Sequence, residues 1–438
     1  MDGRGRPQDG KGLRGWDNGS GVSLGVYISV PFCRTKCSYC NFASDVFSRT
    51  VFERYVDRVC ADIEHAPQLA AEMGGQMEHA VDSVYLGGGT PTVLNSAQLE
   101  RIFCAVNRQF EVSPDAEITV ECAPGTLTPA VLETLLRCGV NRVSLGVQSF
   151  VEQEAAAVGR LHKRATVLDD VARLRNAGIT NINIDLIAGL PHQTAESWEF
   201  SLAQTIATGA PHTSVYMLEV DEDSRLGREL LAGGTRYHAH FVPDDEATAD
   251  FYLAACDRLQ SAGVVQYEIS NFARAGFESR HNLKYWTRQP YLGFGVDAHS
   301  MLVANREGPD FSRAGTEHER EAGFSPSGKG IDSLRFAAPD SLEQYVSGAG
   351  LIRIIVSHRQ ALEESLFLGL RLTRGVSLRE LSTKFGSEVI ENARATITEL
   401  VDDGLMEQRE DLVSLTSRGQ LLSNDVFQRF ILTDGIVC

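Results

Sequence analysis

The stretch Tyr27-Ile-Ser-Val-Pro-Phe-Cys33-Arg-Thr-Lys-Cys37-Ser-Tyr-Cys40 sets three thiols within eight residues, spaced C-x3-C-x2-C, behind a short apolar run. The other six cysteines, Cys60, Cys104, Cys122, Cys138, Cys256 and Cys438, are scattered, so the chain has no disulfide framework, and the expected setting is a reducing, intracellular one. Four thiolates would close a tetrahedral zinc site or cap every iron of a cluster. Three on one short loop leave one iron of a four-iron cluster open to a non-protein ligand. Two other readings stand beside that one: a zinc site completed by a distant His or Cys, and three unrelated reduced thiols.

Working outward, the run before the cysteines is the first of six β-type segments: Val26–Ser29, Ser83–Leu86, Glu117–Glu121, Arg142–Val147, Asn181–Ile187 and Thr213–Leu218. Amphipathic helical stretches lie between them, near Val51–Leu69, Ala97–Gln109, Pro129–Arg137, Val167–Asn176 and Ala195–Ala207. Asn95 ahead of Gln98, and Thr128 ahead of Pro129, are helix-start signals. Strand and helix in alternation predict an α/β fold with a parallel sheet, either open or curled into a whole or partial barrel.

Ligand groups in such folds gather at the carboxyl ends of the strands. The second strand ends in Leu86-Gly87-Gly88-Gly89-Thr90-Pro91, glycines that let a backbone approach a ligand closely. Glu121, Gln148 and Asp185 stand at or near the ends of the next three strands, where a buried polar group is costly unless it has a partner. Arg160 follows in Ala-Val-Gly-Arg-Leu-His. Each has a bland reading, a tight turn, a satisfied core group or a solvated charge. Together with the cysteines they would share one rim.

Composition bounds the rest. With 58 acidic against 41 basic side chains the net charge is −17, which argues against a nucleic-acid surface. No apolar run approaches the roughly 20 residues of a membrane span. The length suggests two or three domains. We read residues 1–24 as a disordered leader without the apolar centre of a secretory signal, 25–262 as the strand–helix core, and 263–360 as a connecting segment with an insertion near 305–350. Residues 361–438 read as a winged-helix-like module: helical runs at Ala361–Leu370, Ser377–Phe385 and Val389–Asp402, then a hairpin at Leu405–Glu407 and Val413–Leu415. It carries 8 basic and 13 acidic residues, net −5, which favours packing or a partner over DNA.

The C-x3-C-x2-C loop after the first strand, followed by Gly-Gly-Gly-Thr-Pro after the second, resembles the radical S-adenosylmethionine (SAM) family. The resemblance implies a partial (β/α) barrel in which Cys33, Cys37 and Cys40 hold a [4Fe–4S] cluster. SAM then chelates the fourth iron and is contacted by Gly88, Gly89, Thr90, Glu121, Gln148, Arg160 and Asp185, with Tyr27 beside the cluster. Arg160 would pair with the methionine carboxylate, and Gln148 and Asp185 would bond ribose hydroxyls.

Within that family the motifs are similar to the oxygen-independent coproporphyrinogen dehydrogenase branch, which includes the HemW-type haem chaperones. The dehydrogenases have a further cysteine two residues after the third ligand; here that residue is Phe42. His281-Asn282-Leu-Lys-Tyr285-Trp286 matches the H-N-x-x-Y-W segment of the chaperones, which implies haem binding by His281, with Tyr285 and Trp286 supplying flat apolar faces. The resemblance implies haem and haem-protein recipients, respiratory membrane proteins among them, as partners, a cytoplasmic location, and room for a homodimer. The alternative it implies is a dehydrogenase that uses a 5′-deoxyadenosyl radical on coproporphyrinogen III. Two departures stand out: Ser29 replaces the usual His between Tyr27 and Pro-Phe-Cys, and Gly-Val-Asp-Ala-His299 replaces Gly-Pro-Gly-Ala-His.

Overall fold

A computed structural model describes residues 23–305 and 330–431. The expected leader lies almost wholly outside the described residues, as do the first half of the expected insertion (306–329) and the last seven residues.

The strands of the main sheet are β1 (Leu24–Val30), β2 (Gly75–Gln76), β3 (Ala80–Gly88), β4 (Glu111–Cys122), β5 (Arg142–Gln148), β6 (Asn181–Ala188) and β7 (His212–Met217). They are followed by β8 (Val265–Glu268), β9 (Asn271–Ala273), β10 (Tyr291–Gly295), β11 (His299–Ala304), β12 (Ile331–Ala337) and β13 (Ile352–Ser357). The hydrogen-bonded path runs β13-β12-β11-β10-β1-β3-β4-β5-β6-β7-β9-β8, with β2 on β11. From β10 to β7 every pairing is parallel, and antiparallel strands extend both flanks. The path has two ends, so the parallel β/α core is an open sheet and not a closed barrel.

All six strands expected from the sequence are present, and so are the helices between them. Asn95 and Gln98 form a reciprocal cap, each side-chain oxygen accepting from the other's backbone N–H at 3.0 Å. Thr128 caps the helix Pro129–Arg137 through the Val131 N–H. The segment after residue 263 holds more structure than its loose pattern suggests. Its β10 pairs with β1 at the middle of the sheet, and β12, inside the region read as an insertion, pairs with β11 and β13. These strands are short and carry glycine or charge, so their sheet character comes from their neighbours and not from local propensity.

Successive side chains of a strand point to opposite faces. On one face Val26, Ile28, Val84, Leu86, Val120, Leu145, Ile184 and Val215 pack against the helices in one continuous core. The registers place Tyr27, Tyr85, Glu121, Ser144, Asp185 and Ser214 on the other, polar face. The helix Arg280–Trp286 covers part of that face.

The C-terminal region has its own apolar cluster, with Leu378, Leu381, Ile397, Leu400, Met406 and Val413 among its members. Helices Leu378–Phe385 and Ser387–Asp402 precede the hairpin β15 (Met406–Arg409) and β16 (Leu412–Leu415), joined by the two-residue strand β14 (Val376–Ser377). That is the winged-helix-like order. Arg371 of this region bonds Glu268 of β8 at 3.4 Å. Among the described residues no helix is long and apolar enough to cross a membrane.

Candidate functional site

The loop after β1 is held from several sides. Cys33 N–H donates to Asp45 O and Asp45 N–H to Pro31 O, which folds the loop back on itself. Lys36 Nζ donates to the carbonyls of Phe42 (2.7 Å) and Ser44 (2.6 Å). Ser38 N–H donates to Val158 O, Thr35 Oγ1 to Gly159 O, and Leu226 N–H to Ser38 O. The three cysteines are thereby fixed over the carboxyl ends of the parallel strands.

One cavity of about 340 Å³ gathers Cys33, Cys37 and Cys40 with Gly88, Gly89, Thr90, Glu121, Gln148, Arg160 and Asp185. These ten, drawn from six segments of the chain, line it together. The cluster fits the donor set. Thr90 Oγ1 lies 3.8 Å from Cys33 Sγ, and Ser44 Oγ 4.0 Å from Cys40 Sγ, close enough to bond thiolates. Burial raises the Cys33 pKa, the bonds from Ser44 and Thr90 oppose it, and the neighbouring thiols add to the rise; thiolates held this close repel one another, which a cationic centre relieves. Among the described residues no three His, Cys, Asp or Glu side chains converge as a single metal ion requires. A four-iron cluster takes each thiolate on a separate iron and needs no such convergence.

Gly88 has φ +98, and a Cβ on Gly89 would lie 2.7 Å from Phe32 O and 2.9 Å from Val30 O. Any side chain there would break the approach of β3 to the cysteine loop. Gln148 holds a left-handed φ of 67 while buried, a costly conformation for a non-glycine residue and one that turns the end of β5 into the cavity.

The acids are positioned by neighbours that sequence reading missed. Tyr85 OH donates to Glu121 Oε1 at 2.8 Å. Ser144 Oγ donates to one oxygen of Asp185 (2.9 Å) and Asn183 Nδ2 to the other (2.7 Å). Burial raises Glu121 to about 7, against the bond from Tyr85 and with the Asp185 charge adding to the rise. Asp185 is raised by burial too, opposed by its hydrogen bonds. Arg160 donates from Nη2 to Tyr39 OH at 3.2 Å, while its buried Nε has no partner. A buried guanidinium with a spare N–H beside two acids that resist ionisation suits a ligand carrying both a carboxylate and a cationic end, as SAM does. The signal that could have found Tyr85, Ser144 and Asn183 is polar residues at alternate positions along strands whose other face is wholly apolar.

A second cavity, of about 250 Å³, adjoins the first and shares Phe42 and Gly88 with it; Tyr27, Ser29, Ala43, Tyr285, Tyr291, Asp297 and His299 complete its wall. Tyr27 stands here, next to the cluster loop. Ser29, the departure from the usual His, is buried between the two cavities, its Oγ 2.9 Å from where a Gly88 Cβ would be. The other departure keeps the turn intact: Asp297 takes φ 57 where the family has glycine, and Asp tolerates that region.

The H-N-x-x-Y-W segment forms the helix Arg280–Trp286, whose three ring-bearing residues have different surroundings. Tyr285 lines the aromatic cavity and meets Tyr291 edge-on at 4.6 Å. His281 is 1% exposed, and both ring nitrogens are occupied, Nδ1 by Ser83 Oγ (3.0 Å) and Nε2 by Tyr285 OH (2.8 Å). Burial and then the Lys284 cation push its pKa down to about 3, so the ring is neutral. Trp286 lies under Arg371, 4.3 Å from ring centre to guanidinium carbon, and does not line the cavity.

An open parallel sheet carrying three cysteines and a polar cavity at its carboxyl rim matches what comparison with known proteins finds. The family profile described as "Radical SAM superfamily" covers residues 27–203, and that described as "HemN C-terminal domain" covers 356–422. A Bacillus subtilis protein named heme chaperone HemW is 34% identical over 93% of this chain and 98% of its own length. The Synechocystis protein of the same name is 34% identical over 93% and 92%, and that of Escherichia coli 32% over 71% and 78%. The chain belongs to the HemW family within the radical SAM superfamily. Among solved structures, coproporphyrinogen III oxidase (HemN) of Escherichia coli superposes with a TM-score of 0.75 at 23% identity, over 93% of this chain and 90% of that one, a likeness of fold.

Proposed function

We propose that this protein is a haem chaperone that binds haem beside a SAM-bearing [4Fe–4S] cluster and passes it to recipient haem proteins. The observation that carries this reading is the aromatic cavity of Tyr27, Phe42, Tyr285 and Tyr291, opening beside the cysteine loop and sharing Phe42 with the cluster cavity. Flat rings on three sides suit a porphyrin, which gains from stacking and apolar contact. Cys33, Cys37 and Cys40 hold the cluster. Gly88, Gly89, Thr90, Glu121, Gln148, Arg160 and Asp185 hold SAM. His281, Tyr285 and Trp286 form the haem segment: Tyr285 meets the ligand, and His281 holds the Tyr285 hydroxyl in place. When bound, the cluster supplies an iron with a free coordination position. The family names favour this function over the coproporphyrinogen dehydrogenase, and Phe42 stands where the dehydrogenases have a cysteine.

The recipients in this reading include respiratory membrane proteins, reached from the cytoplasm. With a net charge of −17 the approach does not depend on a general basic surface. A homodimer is part of the proposal, with sedimentation of the loaded protein as its measure. The central test is haem titration of the anaerobically reconstituted protein, with coproporphyrinogen III and SAM supplied in a parallel reaction. Stoichiometric haem binding, weakened in His281→Ala, is expected. Formation of protoporphyrinogen would replace the chaperone reading with the oxidase.

A further inference from the structure

We propose that His299, through Nε2, is the side chain that ligates the haem iron. The inference rests on the haem-binding reading above and names the atom that would carry it. An axial imidazole must present a nitrogen lone pair to the iron, and His281 presents none: Ser83 and Tyr285 occupy its two nitrogens, and its ring is 1% exposed. His299 differs on each count. It is exposed and lines the aromatic cavity. Its Nδ1 lies 3.0 Å from the backbone carbonyl of Asp297, and a carbonyl oxygen only accepts. The proton of the neutral ring therefore sits on Nδ1, and the lone pair is on Nε2. Fixing one nitrogen on a carbonyl is how metal-ligating histidines are commonly oriented and made more basic. The bond that forms is a donor bond from the Nε2 lone pair to the iron, and no proton or electron leaves the protein.

The surroundings suit a flat, apolar, iron-bearing ring. At about 250 Å³ the cavity is too small to enclose a macrocycle and would take only one edge of it, between Tyr27, Phe42 and Tyr285. The rest of the ring has a surface to lie on. His299 pairs with Ala337 across β11–β12, and Ala337 pairs with Ile352 across β12–β13. Paired residues point to the same face of a sheet, so His299, Ala337 and Ile352 share one shelf, which Arg335, bonded to Glu364 and paired with Ile354, borders on its far side. Ile352 is 62% exposed, and Ile354, two residues along the same face, is 54% exposed. A haem seated on this shelf, with its iron at His299, stays open on one side, as a carrier that must release its cargo requires.

The test is a titration of the full-length, anaerobically reconstituted protein with ferric haem, followed by Soret absorption and electron paramagnetic resonance. The wild type is expected to bind saturably with the spectrum of imidazole-ligated iron. His299→Ala is expected to lose that spectrum and bind about tenfold more weakly. Added imidazole should restore the spectrum, while iron–sulfur absorbance and circular dichroism stay at wild-type values. His281→Ala is expected to bind more weakly with the imidazole-type spectrum retained. A His299→Ala protein with unchanged Soret band and affinity would overturn the assignment of the ligand and leave the haem-binding reading standing. A wild-type protein that shows no saturable haem binding would overturn both.

Discussion

The two adjoining cavities are built on opposite principles, although both lie over the carboxyl ends of the same parallel strands. The cluster cavity is held by hydrogen bonds. Its loop is tied to three other segments, its acids are tied to Tyr85, Ser144 and Asn183, and its arginine keeps a buried N–H in reserve. The aromatic cavity is walled mainly by rings, with Ser29, Asp297 and His299 as its non-aromatic or ionisable polar members. The first is suited to a charged ligand that must be oriented atom by atom, the second to a large apolar ligand that must also leave. Phe42 and Gly88 belong to both, so occupancy of one can be felt at the other.

Removing a cysteine gives the sharpest separation of the two. Cys37→Ala should abolish iron–sulfur absorbance and iron content after reconstitution while haem still binds. Loss of both together would show that the two cavities are one site. Next in size is Arg160→Gln, which removes the proposed partner of the SAM carboxylate. A charged hydrogen bond of about 1.5–3 kcal/mol corresponds to roughly a 10- to 100-fold loss of SAM affinity, read by equilibrium binding, with haem affinity unchanged. An equal loss for both ligands would erase the contrast drawn above.

The smallest effect is the pH dependence of Glu121. Its pKa is about 7 in the folded, ligand-free chain, above the usual 4.5, so the folded state holds the proton more tightly. The stability this contributes is present below about pH 4.5 and is lost as pH rises through about 7. Glu121→Gln lacks that dependence. Its Tm relative to wild type should therefore rise between pH 5 and pH 8 by roughly 2 °C or more. A difference that stays flat across this range would mean that Glu121 is ionised throughout.

Much of this was legible in the chain. Six β-type runs and the caps at Asn95 and Thr128 follow from local pattern, and the cysteine spacing, the glycine run and the polar residues at strand ends pointed to one shared rim. What escaped is instructive. The strand β10 inserts beside β1, a placement that no local pattern of Tyr291–Gly295 declares. Tyr85, Ser144 and Asn183 look ordinary in sequence because their role depends on the registers of neighbouring strands. His281 stands in a motif that points to iron, yet its nitrogens are taken by residues 198 positions away and one helical turn away.

The sequence by itself determined the chemistry available: three thiols with one open iron position, glycines that admit a ligand, and acids and an arginine at the rim. It determined the order of strands and helices too, since these follow from local periodicity. The tertiary structure alone decided which of these groups can reach a ligand. Access depends on burial and on whether a polar atom is already satisfied, and both are set by residues far apart in the chain. That is why the imidazole marked by the motif lies sealed beneath Tyr285, while His299, in a turn that departs from its family, faces the open cavity.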